Sequence, residues 1–242
     1  MRALLIAGLA VAACASPVTA VPMERPNPDG QMNPASPVSV KVTSPEMDEI
    51  VDGPKVEVHF ELENFEMTPN GPHLHFVLDN GPLQEHFKPD APIVLPAVPA
   101  GTHLLAVFPV TSWHEGWKEA KSLALVRFHV GSADPAMLED LSKPLLIFNM
   151  PQGVVKKWKD HWVLFDFLVL NAGIAEGDTR MQDARIRYLL DGTKNTAEYQ
   201  ESRFWLKLEA GAHRIDVWVT DKRGDPLPNG RWNRASRSFY VE

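Results

Sequence analysis

The chain has 242 residues, with 24 Lys and Arg against 31 Asp and Glu and a formal net charge of −7. The length allows one or two domains, and an acidic chain with no basic stripe is not built for nucleic acid, since nothing would neutralise the phosphates. The single cysteine, Cys14, excludes an intrachain disulfide, so the folded part must be held by its cores.

Met1-Arg2 and the short apolar stretch Leu4 to Ala13 form an export signal, too short to span a bilayer. Two processing sites compete. Val11-Ala12-Ala13-Cys14 has the pattern of a bacterial lipobox, with Cys14 as the lipidated residue, and Val18-Thr19-Ala20 is an ordinary small-x-small site. The lone cysteine in the lipobox position favours the first: residues 1–13 as signal peptide and a membrane partner through a lipid on Cys14. Residues 14–38, rich in Pro, Asn and Gly from Val21 onward, then read as a flexible tether.

The remainder divides into two similar halves. VEVHFELEN (56–64) matches VLFDFLVLN (163–171), and PHLHFVLDN (72–80) matches ARIRYLLDG (184–192). AGTHLLAVFPVT (100–111) matches AGAHRIDVWVTD (210–221), and VRFHV (126–130) matches RSFYV (237–241). Short alternating runs broken by Pro, Gly, Asn and Asp are the strand signature. The expected fold is all-β, two tandem immunoglobulin-like antiparallel sandwiches at 39–131 and 144–242, joined by a linker at 132–143 with one helical turn at PAMLEDL.

Alternation assigns faces. Val56, Val58, Phe60 and Leu62 point into the first core, as do Leu74, Phe76 and Leu78 on a later strand. His73 and His75 take the opposite side, where the second copy has Arg185 and Arg187; two arginines argue for an outer face or strand mouth. His103 and its counterpart His213 follow a turn glycine on the core side, which suggests a ring bonded to a neighbouring loop.

In an immunoglobulin-like order the strand with His73 and His75 is C, and 102–110 is its antiparallel neighbour F. The loop after F carries His114, Glu115, Trp113 and Trp117, and the loop before C carries Met67, all at one end. Two imidazoles at i and i+2 can face one ion, so His73, His75 and His114 are candidate ligands for copper or zinc, against the alternative of solvated surface residues. Trp113 and Trp117 either stack on a glycan or envelope protein or cap the core. Leu104, Ala106 and Phe108 form an apolar outer stripe, an interface with the other domain or with another protein.

These short motifs carry a resemblance. His73-Leu74-His75 with Asp79, Gly101-Thr102-His103-Leu104 and His114 resemble the His-x-His / Gly-x-His pattern of a family of bacterial envelope immunoglobulin-like domains, over most of 40–131 and more faintly over 144–242. The resemblance implies a β-sandwich in a cell envelope and no particular activity; the second half departs from it at Arg185 and Arg187. No nucleophile elbow, phosphate loop or HExxH helix is present, so no catalytic residues are assigned. The expected function is a non-enzymatic envelope binding or structural module, lipid-anchored or periplasmic, with periplasmic metal binding as the alternative.

Overall fold

The computed structural model describes residues 37–135, 140–156, 162–172, 184–199 and 202–242. The expected leader, Cys14, the tether up to residue 36 and most of the helical turn expected in the connector lie outside the described residues. The protein is all-β, with no α-helix among the described residues.

Eight strands make the first unit: β1 (Ser39–Ser44), β2 (Glu49–Val51), β3 (Val56–Glu63), β4 (His73–Leu78), β5 (Leu83–His86), β6 (Ile93–Leu95), β7 (Gly101–Val110) and β8 (Ala124–Val130). Eight more make the second: β9 (Leu145–Met150), β10 (Gly153–Val155), β11 (Trp162–Leu170), β12 (Ala184–Leu190), β13 (Thr193–Tyr199), β14 (Arg203–Lys207), β15 (Gly211–Asp221) and β16 (Arg234–Val241). The sheet orders are β1-β3-β6 with β2-β8-β7-β4-β5, and β9-β11-β14 with β10-β16-β15-β12-β13. Adding eight to each label of the first unit gives the second, so the sequence repeat is a repeat of topology. β4 and β7 pair antiparallel, His73 opposite Val110, as strands C and F should.

Each unit fills its sandwich from the predicted faces. In the first, Val56, Val58, Leu74, Phe76, Leu105, Val107 and Phe128 share one cluster, with Phe60, Leu62 and Leu78 at its margin. In the second, Phe165 and Tyr188 each stack on Phe204 with ring centroids 5.3 Å apart. Burying each such ring contributes roughly 1.5–3 kcal/mol, which suits a fold without disulfides.

The two units pack sheet on sheet. The outer face of the first unit's five-stranded sheet meets the second unit's β9–β11 face, where Val77, Leu83, Ala106, Phe108 and Val110 cluster with Ile147 and Leu168. Leu104 packs with Leu145 and Trp232 beside it. Asn80 ties the edge, donating Nδ2 to Leu146 O at 2.8 Å and accepting from Phe148 N at 3.1 Å. Phe108, a candidate for an external partner, is fully buried in this contact, so its partner is the other half of the chain. The outer face of β4 is likewise not wet: His73 is 2% exposed and His75 0%, which corrects the surface placement. The arginine argument misled because an arginine does not require a wet face: Arg185 is itself buried, its Nη1 donating to Ala184 O.

Candidate metal centre

The centre starts from a strand pleat and a hairpin. His73 and His75 alternate with core Leu74 and Phe76 on β4, so both rings point to one face. The turn after Leu78 returns the chain as β5 with Val77 opposite Leu83, which sets Glu85 opposite His75. Cross-strand partners have Cβ atoms about 5 Å apart, so Glu85 joins the histidines by register alone. Sequence reasoning missed it, although counting back from the turn finds it.

His114 arrives from the far side of β4. Beyond Val110 the chain makes a tight turn, with His114 N donating to Thr111 O and Thr111 N to Glu115 O, both at 3.0 Å. His114 sits at φ 67°, a left-handed conformation uncommon outside glycine and asparagine. Two residues on, Gly116 leaves room for a close approach: a Cβ there would stand 3.0 Å from Asp166 Oδ2, which would have to give way.

Ligand atoms of His73, His75, His114 and Glu85 all lie within 4.8 Å of one another. His73 Nε2 is 2.9 Å from His75 Nε2, His75 Nε2 is 3.1 Å from His114 Nδ1, and His114 Nδ1 is 3.6 Å from Glu85 Oε1. A tetrahedral ion with bonds near 2.0–2.1 Å needs ligand atoms about 3.3–3.4 Å apart; the three separations given lie within about 0.5 Å of that, and the widest, up to 4.8 Å, closes if the part-exposed His114 and Glu85 side chains move in.

The tautomers follow from the outer partners. His73 Nδ1 is 2.7 Å from Gly71 O, an atom that can only accept, so Nδ1 carries the proton and Nε2 a bare lone pair. His75 Nδ1 is 2.7 Å from Asn149 Oδ1. The amide is oriented by its own Nδ2, which donates to His114 O at 2.7 Å and Asp166 Oδ2 at 2.7 Å, so Oδ1 accepts and His75 Nε2 is bare as well. Two bare imidazole nitrogens therefore face each other at 2.9 Å. Such a pair repels unless a cation, a proton or a metal ion, lies between them.

Burial works against the proton. It lowers the pKa of His73 and His114 and pushes that of His75 well below the usual imidazole value; Gly71 and Asn149 oppose this for His73 and His75. Glu85 adds one negative charge on the open side, where it and His114 are partly exposed. Phe87 stacks on His73 at 4.2 Å, and Phe108 meets His75 edge-on.

Other predicted residues go elsewhere. Met67 packs into the first core with Leu74 and Phe76, on the face opposite the histidines. Glu115 is buried and accepts from Trp113 Nε1 at 3.0 Å and from Arg203 Nη1 of the second unit. Trp113 and Trp117 are both half-buried, Trp117 edge-on to Phe65 at 5.8 Å. His103 has the structural role expected of it: Nδ1 bonds Asp79 Oδ2 at 2.7 Å and Nε2 bonds Pro99 O at 2.9 Å. His213 repeats this with Asp191 at 2.7 Å and Glu209 O at 3.0 Å.

No family model and no curated protein matches the chain. Among solved structures, the fibronectin(III)-like modules of Clostridium thermocellum CbhA are 15% identical over 84% of this chain and 94% of that one, with a TM-score of 0.29. SGBP-B of the Bacteroides ovatus mixed-linkage glucan utilization locus, solved with a mixed-linkage heptasaccharide, is 12% identical over 84% of this chain and 47% of that one, at 0.25. The three N-terminal domains of the bacteriophage RB49 outer capsid protein Hoc are 11% identical over 85% and 69%, at 0.25. Scores this low carry no argument about function, which rests on the geometry of the histidine cluster.

Proposed function

We propose that the protein is a non-catalytic binding module whose ligand is a divalent transition metal, zinc or copper, held by His73 Nε2, His75 Nε2, His114 Nδ1 and Glu85. The observation that carries this is the pair of lone pairs facing each other at 2.9 Å, each fixed by a hydrogen bond on the far side of its ring. Three neutral imidazoles and one carboxylate are a donor set suited to either ion, and copper(II) should bind more tightly than zinc. The exported, lipid-anchored location read from Val11 to Cys14 belongs to the same proposal and is supported by that motif alone.

Calorimetric titration with Zn²⁺ and with Cu²⁺ tests the reading. Wild type should bind one ion per chain, and the double variant His73→Ala/His114→Ala should lose at least a hundredfold in affinity. Equal affinity in the two proteins would refute it.

A further inference from the structure

Resting on the metal reading, we infer that the centre is shared between the units: Asn149 of the second unit is a positioning residue that fixes His75 and anchors the loop carrying His114. Its amide is saturated in a way that serves the first unit. Oδ1 accepts from His75 Nδ1, and Nδ2 donates to the backbone of His114. The same Nδ2 leans on Asp166, whose Oδ2 also accepts from Gly116 N at 3.0 Å and whose Oδ1 accepts from Lys118 Nζ at 2.7 Å. Both loop contacts come from residues that follow His114 in the same loop, and Lys118 donates further to Phe167 O at 2.7 Å.

The repeat isolates what is special about these two residues. Asp166 occupies the position of His59 in the first unit, which is exposed on the outer face of β3. Asn149 and Asp166 are both 0% exposed and sit on a face otherwise made apolar by Ile147, Leu164 and Leu168. Burying an amide and a carboxylate among such residues costs stability relative to well-packed apolar side chains. What these two supply in return is orientation. A ligand histidine whose remaining ring nitrogen is tied to an acceptor presents the correct lone pair without sampling the other tautomer, and losing such a partner typically weakens metal binding by about 10–100-fold.

The experiment uses the full chain, Asn149→Leu, Zn²⁺ calorimetry and ¹⁵N imidazole NMR of the metal-free protein at neutral pH. In wild type His75 should carry its proton on Nδ1. In Asn149→Leu the ring should become a mixture of tautomers while the cooperative unfolding transition is kept, and Zn²⁺ affinity should fall about 10–100-fold. A purely structural role for Asn149 would not move the tautomer. Wild-type His75 protonated on Nε2 overturns the inference whether or not the variant folds, as does unchanged affinity in a folded Asn149→Leu. Wild type that takes up no Zn²⁺ overturns the metal reading and this inference with it, whereas a variant that binds as wild type does overturns the inference alone.

Discussion

Lys118 Nζ lies 2.7 Å from Asp166 Oδ1, an ion pair joining the two units with 9% and 0% of the respective side chains exposed. Burial pushes the Asp166 carboxyl up, and the Lys118 ammonium opposes the shift. Removing one member of such a pair leaves the other charge without compensation. Asp166→Ala should therefore cost about 3–5 kcal/mol in urea unfolding, and Asp166→Asn clearly less, because a neutral amide still offers an acceptor to Lys118.

Glu85 is the exposed ligand, and its contribution should be the smallest of the four. Glu85→Gln should reduce Zn²⁺ affinity about tenfold, or 1.4 kcal/mol, and leave three histidine ligands in the X-ray absorption spectrum of the zinc-loaded protein. A loss as large as that of His75→Ala would show that the carboxylate sits closer to the ion than its exposure indicates.

The histidine cluster also sets a pH dependence. Folded-state pKa values of His73, His75 and His114 lie below the ordinary value near 6.5, chiefly through burial. The unfolded chain then binds more protons at mildly acid pH, so stability falls as pH drops below about 6.5 and goes on falling until the buried rings are themselves protonated. The slope can reach about 1.4 kcal/mol per pH unit for each proton taken up on unfolding. Chemical denaturation of the metal-free protein between pH 8 and 5 measures it, and His75→Gln should flatten the curve.

Metal should stabilise the fold by mass action. At a free Zn²⁺ concentration a hundred times Kd the gain is about 2.7 kcal/mol, visible as a rise in Tm. His73→Ala/His114→Ala should abolish the rise while keeping the fold, because His73 lies on the face of β4 opposite the core residues Leu74 and Phe76 and the His114 side chain is partly exposed.

The repeated clamp offers an internal comparison. Asp79 and Asp191, both at positive φ, each take a histidine Nδ1 and a backbone N–H, from Leu104 at 2.9 Å and from Arg214 at 2.8 Å. Gly101 and Gly211, two residues before the histidines, hold φ of 130° and 142° that side chains rarely adopt. His103→Ala should cost about 1–3 kcal/mol because Asp79 and Pro99 O lose their donor in a partly buried site. His213→Ala should cost less, since Asp191 is more exposed. Equal losses in parallel denaturant titrations would contradict this burial argument.

Much of this was legible in the sequence, for a physical reason. The period-2 pattern of Val56–Leu62 and its copy Val163–Val169 fixed strands and faces, and the order of matched segments carried the topology. The convergence of His73, His75 and His114 followed from the antiparallel pairing of C with F. Packing between units was not legible, because periodicity describes one sheet at a time. The clue was in LLAVFPV, apolar on both faces, which reads as an interface without saying with what. For the same reason Asn149 and Asp166 could not be connected to the histidines: they lie 74 residues from His75 and 48 from Lys118 in the chain. Met67 and Glu115 shared an end of the sandwich with the cluster, but their side chains were claimed by the core and by Arg203.

β7 lies between two strands of its own sheet, with one unit's core beneath it and the neighbouring unit above, so every residue from Thr102 to Val110 is buried. Water reaches those amides only when both layers part. The deuterium clock of this central strand should therefore run slower than that of β15, its twin, in which Ala212 and Arg214 are exposed and Asp216 and Trp218 only half-buried.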